Sequence, residues 1–123
     1  MRVGLVGLGS VGSIVAEALS SPSGLLRPGA ALGAVLVSRQ REARPPEIGS
    51  EALLTTDIEA FMSADWSVCV EAAGQPWVKE HGRRVLSEGR SLLVTSVGVF
   101  TDDTLMEEFR DLAKGSGAQL LIP

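Results

Sequence analysis

The sequence has no tyrosine, three phenylalanines and two tryptophans among 123 residues, so aromatic packing can fill only a small part of its core. Val, Leu, Ile and Ala must fill most of the interior, a palette that suits helices packed on a parallel sheet. A lone cysteine, Cys69, excludes an intramolecular disulfide and points to a reducing compartment. With one cysteine and one histidine, His81, no cluster has metal-ligand spacing and no Ser-His-Asp arrangement can be nominated. An excess of positive charge is also missing. Eleven basic against fifteen acidic residues give a net charge of −4, without the electropositive stripe that nucleic acid or an anionic membrane needs. No run reaches the roughly 18 apolar residues of a membrane span. Arg2 and the apolar residues after it imitate a secretory signal, but four glycines between Gly4 and Gly12 and the charge of Glu17 break the pattern. A cytoplasmic location is expected.

What is present fits one soluble domain over residues 1–123. At 45% apolar and 21% charged, a chain of this length buries about two-thirds of the surface its unfolded form exposes and needs no metal or disulfide staple. Val3 to Val6 is an apolar β-type run, and a glycine-punctuated turn follows at once. From Val11 the period changes: Val11, Ile14, Val15, Ala18 and Leu19 recur at helical spacing and make one apolar face. Ser20 to Ala30, with two prolines and two glycines, reads as a helix stop and a long loop. Leu32 to Val37 then closes a βαβ unit.

The polar segment Ser38 to Ser50, carrying Pro45-Pro46, is a loop or a frayed element. Leu53 to Thr55 is a short third strand, and Asp57 is placed to cap a helix through Ser63. Ser67 to Ala72 is a fourth strand, and Pro76 suits the first turn of a helix that turns Val78, Val85 and Leu86 inward and ends at Gly89. Leu92 to Val97 is a fifth strand. Thr101, Asp102 and Asp103 make an acid-rich helix start before Leu105, Phe109, Leu112 and Ala113 at core spacing, with Gly115 and Gly117 as the stop. Leu120 to Ile122 is a sixth. Six strands alternating with helices imply an α/β fold with a doubly wound, parallel six-stranded sheet, its ligands expected at the carboxyl ends of the strands.

The turn after the first strand, Gly7-Leu8-Gly9-Ser10-Val11-Gly12, matches G-x-G-x-x-G in the required context: after a strand, opening a helix, inside a βαβ unit. Gly7 permits the tight turn, Gly9 admits a pyrophosphate to the backbone, and Gly12 lets helix and strand approach. The unpaired amides around Ser10 and Val11 face the phosphates, aided by the helix dipole. At the end of the second strand, where an acid ordinarily holds the ribose of an unphosphorylated dinucleotide, the chain reads Val37-Ser38-Arg39-Gln40-Arg41 and no acid appears until Glu42. A hydroxyl from Ser38 and a guanidinium from Arg39, with Arg41 in support, would hold a 2′-phosphate, so NADP is preferred over NAD. The competing reading makes these arginines a solvated face and lets NAD bind through backbone groups.

Two further turns fall where the nicotinamide half is expected: Ala72-Ala73-Gly74 after the fourth strand and Ser96-Val97-Gly98 after the fifth. Their small residues let a ribose and ring lie against backbone. Glu71 stands at a strand end as a candidate for chemistry or for capping the next turn. Cys69 reads as an inert core thiol and His81 as a solvated helix position. Trp66 and Trp77 flank the fourth strand as either interface or partly buried residues.

These pieces together resemble the cofactor domain of the L-aspartate dehydrogenase family. The resemblance is carried by the glycine turn, Val70-Glu71-Ala72-Ala73, Leu93-Val94-Thr95-Ser96-Val97-Gly98, the acidic helix Asp102 to Lys114 and the closing Leu120-Leu121-Ile122-Pro123. It spans essentially the whole chain, although several pieces recur in homoserine dehydrogenases. It implies a Rossmann-type NAD(P) domain and oxidative deamination of L-aspartate to iminoaspartate, which supplies NAD biosynthesis. The family's catalytic histidine and amino-acid substrate groups lie in a second domain, expected just after Pro123, so no catalytic residue is assigned in this chain, which is expected to be inactive alone. Apolar surface near the strand carboxyl ends would then be open to self-association. Two other readings stay open: a homoserine-dehydrogenase-like cofactor domain, and a stand-alone dinucleotide-binding or sensing module.

Overall fold

A computed structural model describes residues 1–20, 30–40 and 43–123. Arg41 and nearly all of the loop expected from Ser20 to Ala30 lie outside the described residues. In chain order the elements are β1 (Arg2–Val6), α1 (Ser10–Ser20), β2 (Ala31–Leu36), β3 (Leu53–Thr55), α2 (Ile58–Ser63), β4 (Val68–Glu71), α3 (Gln75–Ser87), β5 (Ser91–Val94), a 3-10 turn (Val97–Thr101), α4 (Asp103–Ser116) and β6 (Leu120–Leu121). The strands form one six-stranded sheet in the order β3-β2-β1-β4-β5-β6, and each neighbouring pair is parallel. This is the doubly wound order, with its switch point between β1 and β4.

Alternation along the strands builds two cores. Val6, Ala34, Leu36 and Cys69 face one side, where Phe61 and Met62 of α2, Val78, Val85 and Leu86 of α3 and Leu105 and Phe109 of α4 cover them. Leu5, Val35 and Val37 face the other, packed with Ala16 of α1 and with Ile48 and Ala52. Between β2 and β3 no helix forms among the described residues. Arg44 instead braces that loop, donating from Nη1 to the Gly49 and Ala52 carbonyls at 2.9 and 2.8 Å.

Three expectations need correction. The apolar face of α1 is rotated: Val11 and Ile14 are 49% and 67% exposed, while Gly12 and Ala16 are buried. The helix sits so close to the β1 turn that a Cβ on Gly12 would collide with the Gly7 carbonyl oxygen, so small residues take the inner face. Strand β5 ends at Val94 and not at Val97, because the Thr95 and Ser96 amides turn toward the Glu71 carboxylate. Gly115 lies inside α4. The helix runs on to Ser116, whose Oγ donates to the Leu86 carbonyl at 2.6 Å, and Gly117 closes it at φ +80°.

Candidate functional site

The register of the sheet sets Leu36, Val6, Glu71 and Val94 in one row, so the turns after β2, β1, β4 and β5 emerge along a single edge. One further ladder bond holds each turn: Val37 N–H to Thr55 O and Gly7 N–H to Leu36 O, both at 2.9 Å, Ala72 N–H to Val6 O at 2.8 Å, and Thr95 N–H to Glu71 O at 3.3 Å. Gly7 leaves β1 at φ +94°, in the left-handed region, and a Cβ there would lie 2.5 Å from the Ala72 carbonyl oxygen. Gly9 behaves differently. A Cβ on it would meet nothing within 4 Å, so the turn leaves open space above its backbone. The first intrahelical bond of α1 runs from Ser13 N–H to Gly9 O at 2.9 Å, which leaves the amides of Ser10, Val11 and Gly12 at the helix start without intrahelical acceptors.

Beside this turn is a cleft of about 860 Å³, lined by Gly7 and Gly9, by Ser38 and Arg39 after β2, and by Ala72 and Ala73 after β4. Ser38 and Arg39 are exposed, and among the described residues Arg39 has no ion-pair partner. Ser10 and Val11 stand at the exposed start of α1, and Gly12 is buried beneath it. Ser96, Val97 and Gly98 sit at the carboxyl end of β5, outside the lining of that cleft, as does Gly74 at the start of α3.

Glu71 is fully buried and joins the two turns after β4 and β5. Its Oε2 accepts from Ala73 N–H at 2.9 Å, Gly74 N–H at 2.7 Å and Ser96 O–H at 2.8 Å. Its Oε1 accepts from Thr95 N–H at 3.1 Å and Ser96 N–H at 3.0 Å. A carboxylate has about four acceptor sites, so this one is fully engaged by the fold. Of its two readings, the cap is what the geometry shows. Cys69 is fully buried, and burial together with the nearby Glu71 carboxylate pushes its thiol pKa far up, which keeps it an unreactive core group.

Four lining residues were not anticipated: Thr56 after β3, Ile58 at the start of α2, and Trp77 and His81 on α3. His81 is not a solvated position, because its side chain is 22% exposed and turned to the cleft beside Trp77. The signal was available. A helix that starts at the carboxyl edge carries its first turns along the cleft, and Trp77 and His81 share one face at i, i+4.

The fold and its glycine turn define a dinucleotide-binding Rossmann domain. The family model described as "Homoserine dehydrogenase, NAD binding domain" matches residues 7–123, and the chain belongs to that family. Over 119 residues it is 37% identical to an L-aspartate dehydrogenase of Brucella anthropi, covering 97% of this chain and 42% of that protein. It is 30% identical to an L-aspartate dehydrogenase of Archaeoglobus fulgidus, covering 99% of this chain and 45% of that one. The chain thus spans less than half the length of these curated relatives. Among solved structures, S. aureus homoserine dehydrogenase superposes with a TM-score of 0.74 at 25% identity, covering 99% of this chain and 32% of that chain.

Proposed function

We propose that this chain is the NADP-preferring cofactor domain of an L-aspartate dehydrogenase. The observation that carries this reading is the cleft that joins the glycine turn to Ser38 and Arg39, with no acid among its lining residues that the structure describes. Gly9 gives the phosphates room, the Ser10 and Val11 amides and the α1 dipole face them, and Gly12 keeps the helix close enough for both to act. Ser38 donates to a 2′-phosphate and Arg39 neutralises it, with Arg41 in support. Ala72, Ala73 and Gly74, and Ser96, Val97 and Gly98, present small side chains and backbone along the nicotinamide half, and the Glu71 staple fixes those two turns relative to each other. A dinucleotide held by these residues would supply the hydride acceptor for the substrate Cα. Substrate groups and the catalytic histidine come from a second domain, and in the longer protein the product is iminoaspartate for NAD biosynthesis.

The resemblance to L-aspartate dehydrogenases over 97% of the chain favours aspartate over homoserine as the substrate. The test is aspartate-dependent reduction of NADP and NAD by the longer protein, with and without Arg39→Ala. The expected result is a higher kcat/KM with NADP, and a loss of about tenfold or more on Arg39→Ala that is confined to NADP. Equal losses with both cofactors contradict the preference, and reduction with homoserine alone contradicts the substrate.

A further inference from the structure

Among the described residues the fold buries one charged side chain, Glu71. No Lys, Arg or His among them forms an ion pair with it. Its carboxylate is held instead by the amides of Ala73, Gly74, Thr95 and Ser96 and by the Ser96 hydroxyl, at 2.7–3.1 Å, while Thr95 Oγ1 donates to its carbonyl at 2.7 Å. Four amides that can only donate match the ionised form. Such dipoles offset the cost of burying an ion, but they do not cancel its net charge. Asp57 after β3 and Asp102 after the 3-10 turn differ from it. Both are exposed, and each caps a helix from a position where water and salt screen it. Stapling two turns therefore accounts for the bonds that Glu71 makes, and it leaves a poorly screened negative charge directly behind both turns.

We infer that the Glu71 charge sets which oxidation state of the cofactor this domain selects, favouring the oxidised dinucleotide over the reduced one. The inference rests on the reading of Ala72 to Gly74 and Ser96 to Gly98 as the nicotinamide half of the site. The oxidised nicotinamide ring is a cation and the reduced ring is neutral, while the pyrophosphate, the riboses and the adenine are the same in both. The start of α1 and the guanidinium of Arg39 therefore treat the two forms alike. Only a charge that acts on the nicotinamide half can tell them apart, and Glu71 is the buried charge behind that half. Unit charges roughly 10–15 Å apart, at an effective protein dielectric near 20, change a binding constant about five- to twentyfold. The sign follows from the chemistry: the anion attracts the ring that accepts hydride and holds the reduced ring no more tightly than a neutral wall would. A domain built this way is set for the oxidative direction, taking up the acceptor and releasing the reduced product. Each tenfold of this preference lowers the potential of the bound two-electron couple by about 30 mV.

The test is calorimetric titration of the protein with NADP⁺ and with NADPH, repeated on Glu71→Gln and Ser96→Ala, reading the ratio of the two dissociation constants. Glu71→Gln removes the charge and keeps the shape, so it is expected to move the ratio about five- to twentyfold toward NADPH. Ser96→Ala removes one hydrogen bond of the staple and leaves the charge, so it weakens both forms alike and holds the ratio within about twofold. The ratio separates charge from scaffolding, because a merely loosened turn lowers both affinities together. An unchanged ratio in Glu71→Gln overturns the inference, and so does a shift in Ser96→Ala as large as that in Glu71→Gln. If Glu71→Gln does not fold, the unaltered protein decides: NADP⁺ bound more tightly than NADPH sustains the inference, and the reverse order overturns it. Failure of the unaltered protein to bind either form overturns instead the reading of the edge as a dinucleotide site.

Discussion

Glu71, itself buried, takes hydrogen bonds from four backbone amides and a hydroxyl at the meeting of the β4 and β5 turns. Glu71→Gln keeps the shape but replaces one acceptor oxygen with a donor NH₂, which would face amides that also donate. Leaving such buried donors unpaired costs about 1–3 kcal/mol each. A thermal melt of Glu71→Gln should therefore show Tm lower by roughly 10 °C; an unchanged Tm would remove the carboxylate as the staple of the two turns. The sequence could nominate Glu71 but could not choose between its two roles. That choice depends on Thr95 and Ser96 standing opposite, a contact across 24 and 25 residues that no local pattern encodes. The glycine turn was legible because its requirements are local: a positive φ at Gly7 and a close approach at Gly12 leave glycine as the fitting residue. Trp77 and His81 were missed because their importance depends on which face of α3 meets the cleft.

Among the elements, α2 is one turn and a half of helix and relies on its ends and neighbours. Asp57 caps it, accepting from Glu59 N–H at 3.0 Å, as the sequence indicated. Glu59 ties it to α3 by accepting from Nη1 and Nη2 of Arg84, at 2.7 and 2.8 Å, while Arg84 Nε donates to Glu88 at 3.0 Å. The hydrogen bond from Arg84 lowers the Glu59 pKa below its ordinary 4.5. A carboxylate with a lowered folded-state pKa adds stability above its unfolded value, and that contribution is lost as pH falls through the folded one. Melts of the unaltered protein and Glu59→Gln should thus differ slightly at neutral pH and converge as the pH falls below the ordinary glutamate range. A gap that persists or widens in acid would assign the effect to something other than this ion pair. Strand and helix order was legible because the apolar period switches from element to element, at the glycine turn after β1 and at the cap residue Asp57 before α2. The ends of β5 and α4 and the rotation of α1 were not, because side chains elsewhere set them: the Glu71 carboxylate, the Ser116 bond to Leu86 and the crowding at Gly12.

For the molecule as a whole, the parallel register aligns four strand ends, and the described residues that the sequence offered for cofactor binding fall along that edge. The edge divides into a cleft over β1, β2 and β4 and an end beyond β5, where Val97 is 45% exposed and Leu121 and Ile122 are 37% and 40% exposed. The central claim is that the domain binds a dinucleotide in the cleft and prefers the phosphorylated form. Isothermal titration of the protein with NADPH and NADH tests it most directly. Saturable one-to-one binding of both, with NADPH tighter by about tenfold, is the predicted result, and no binding of either at millimolar concentration would contradict it.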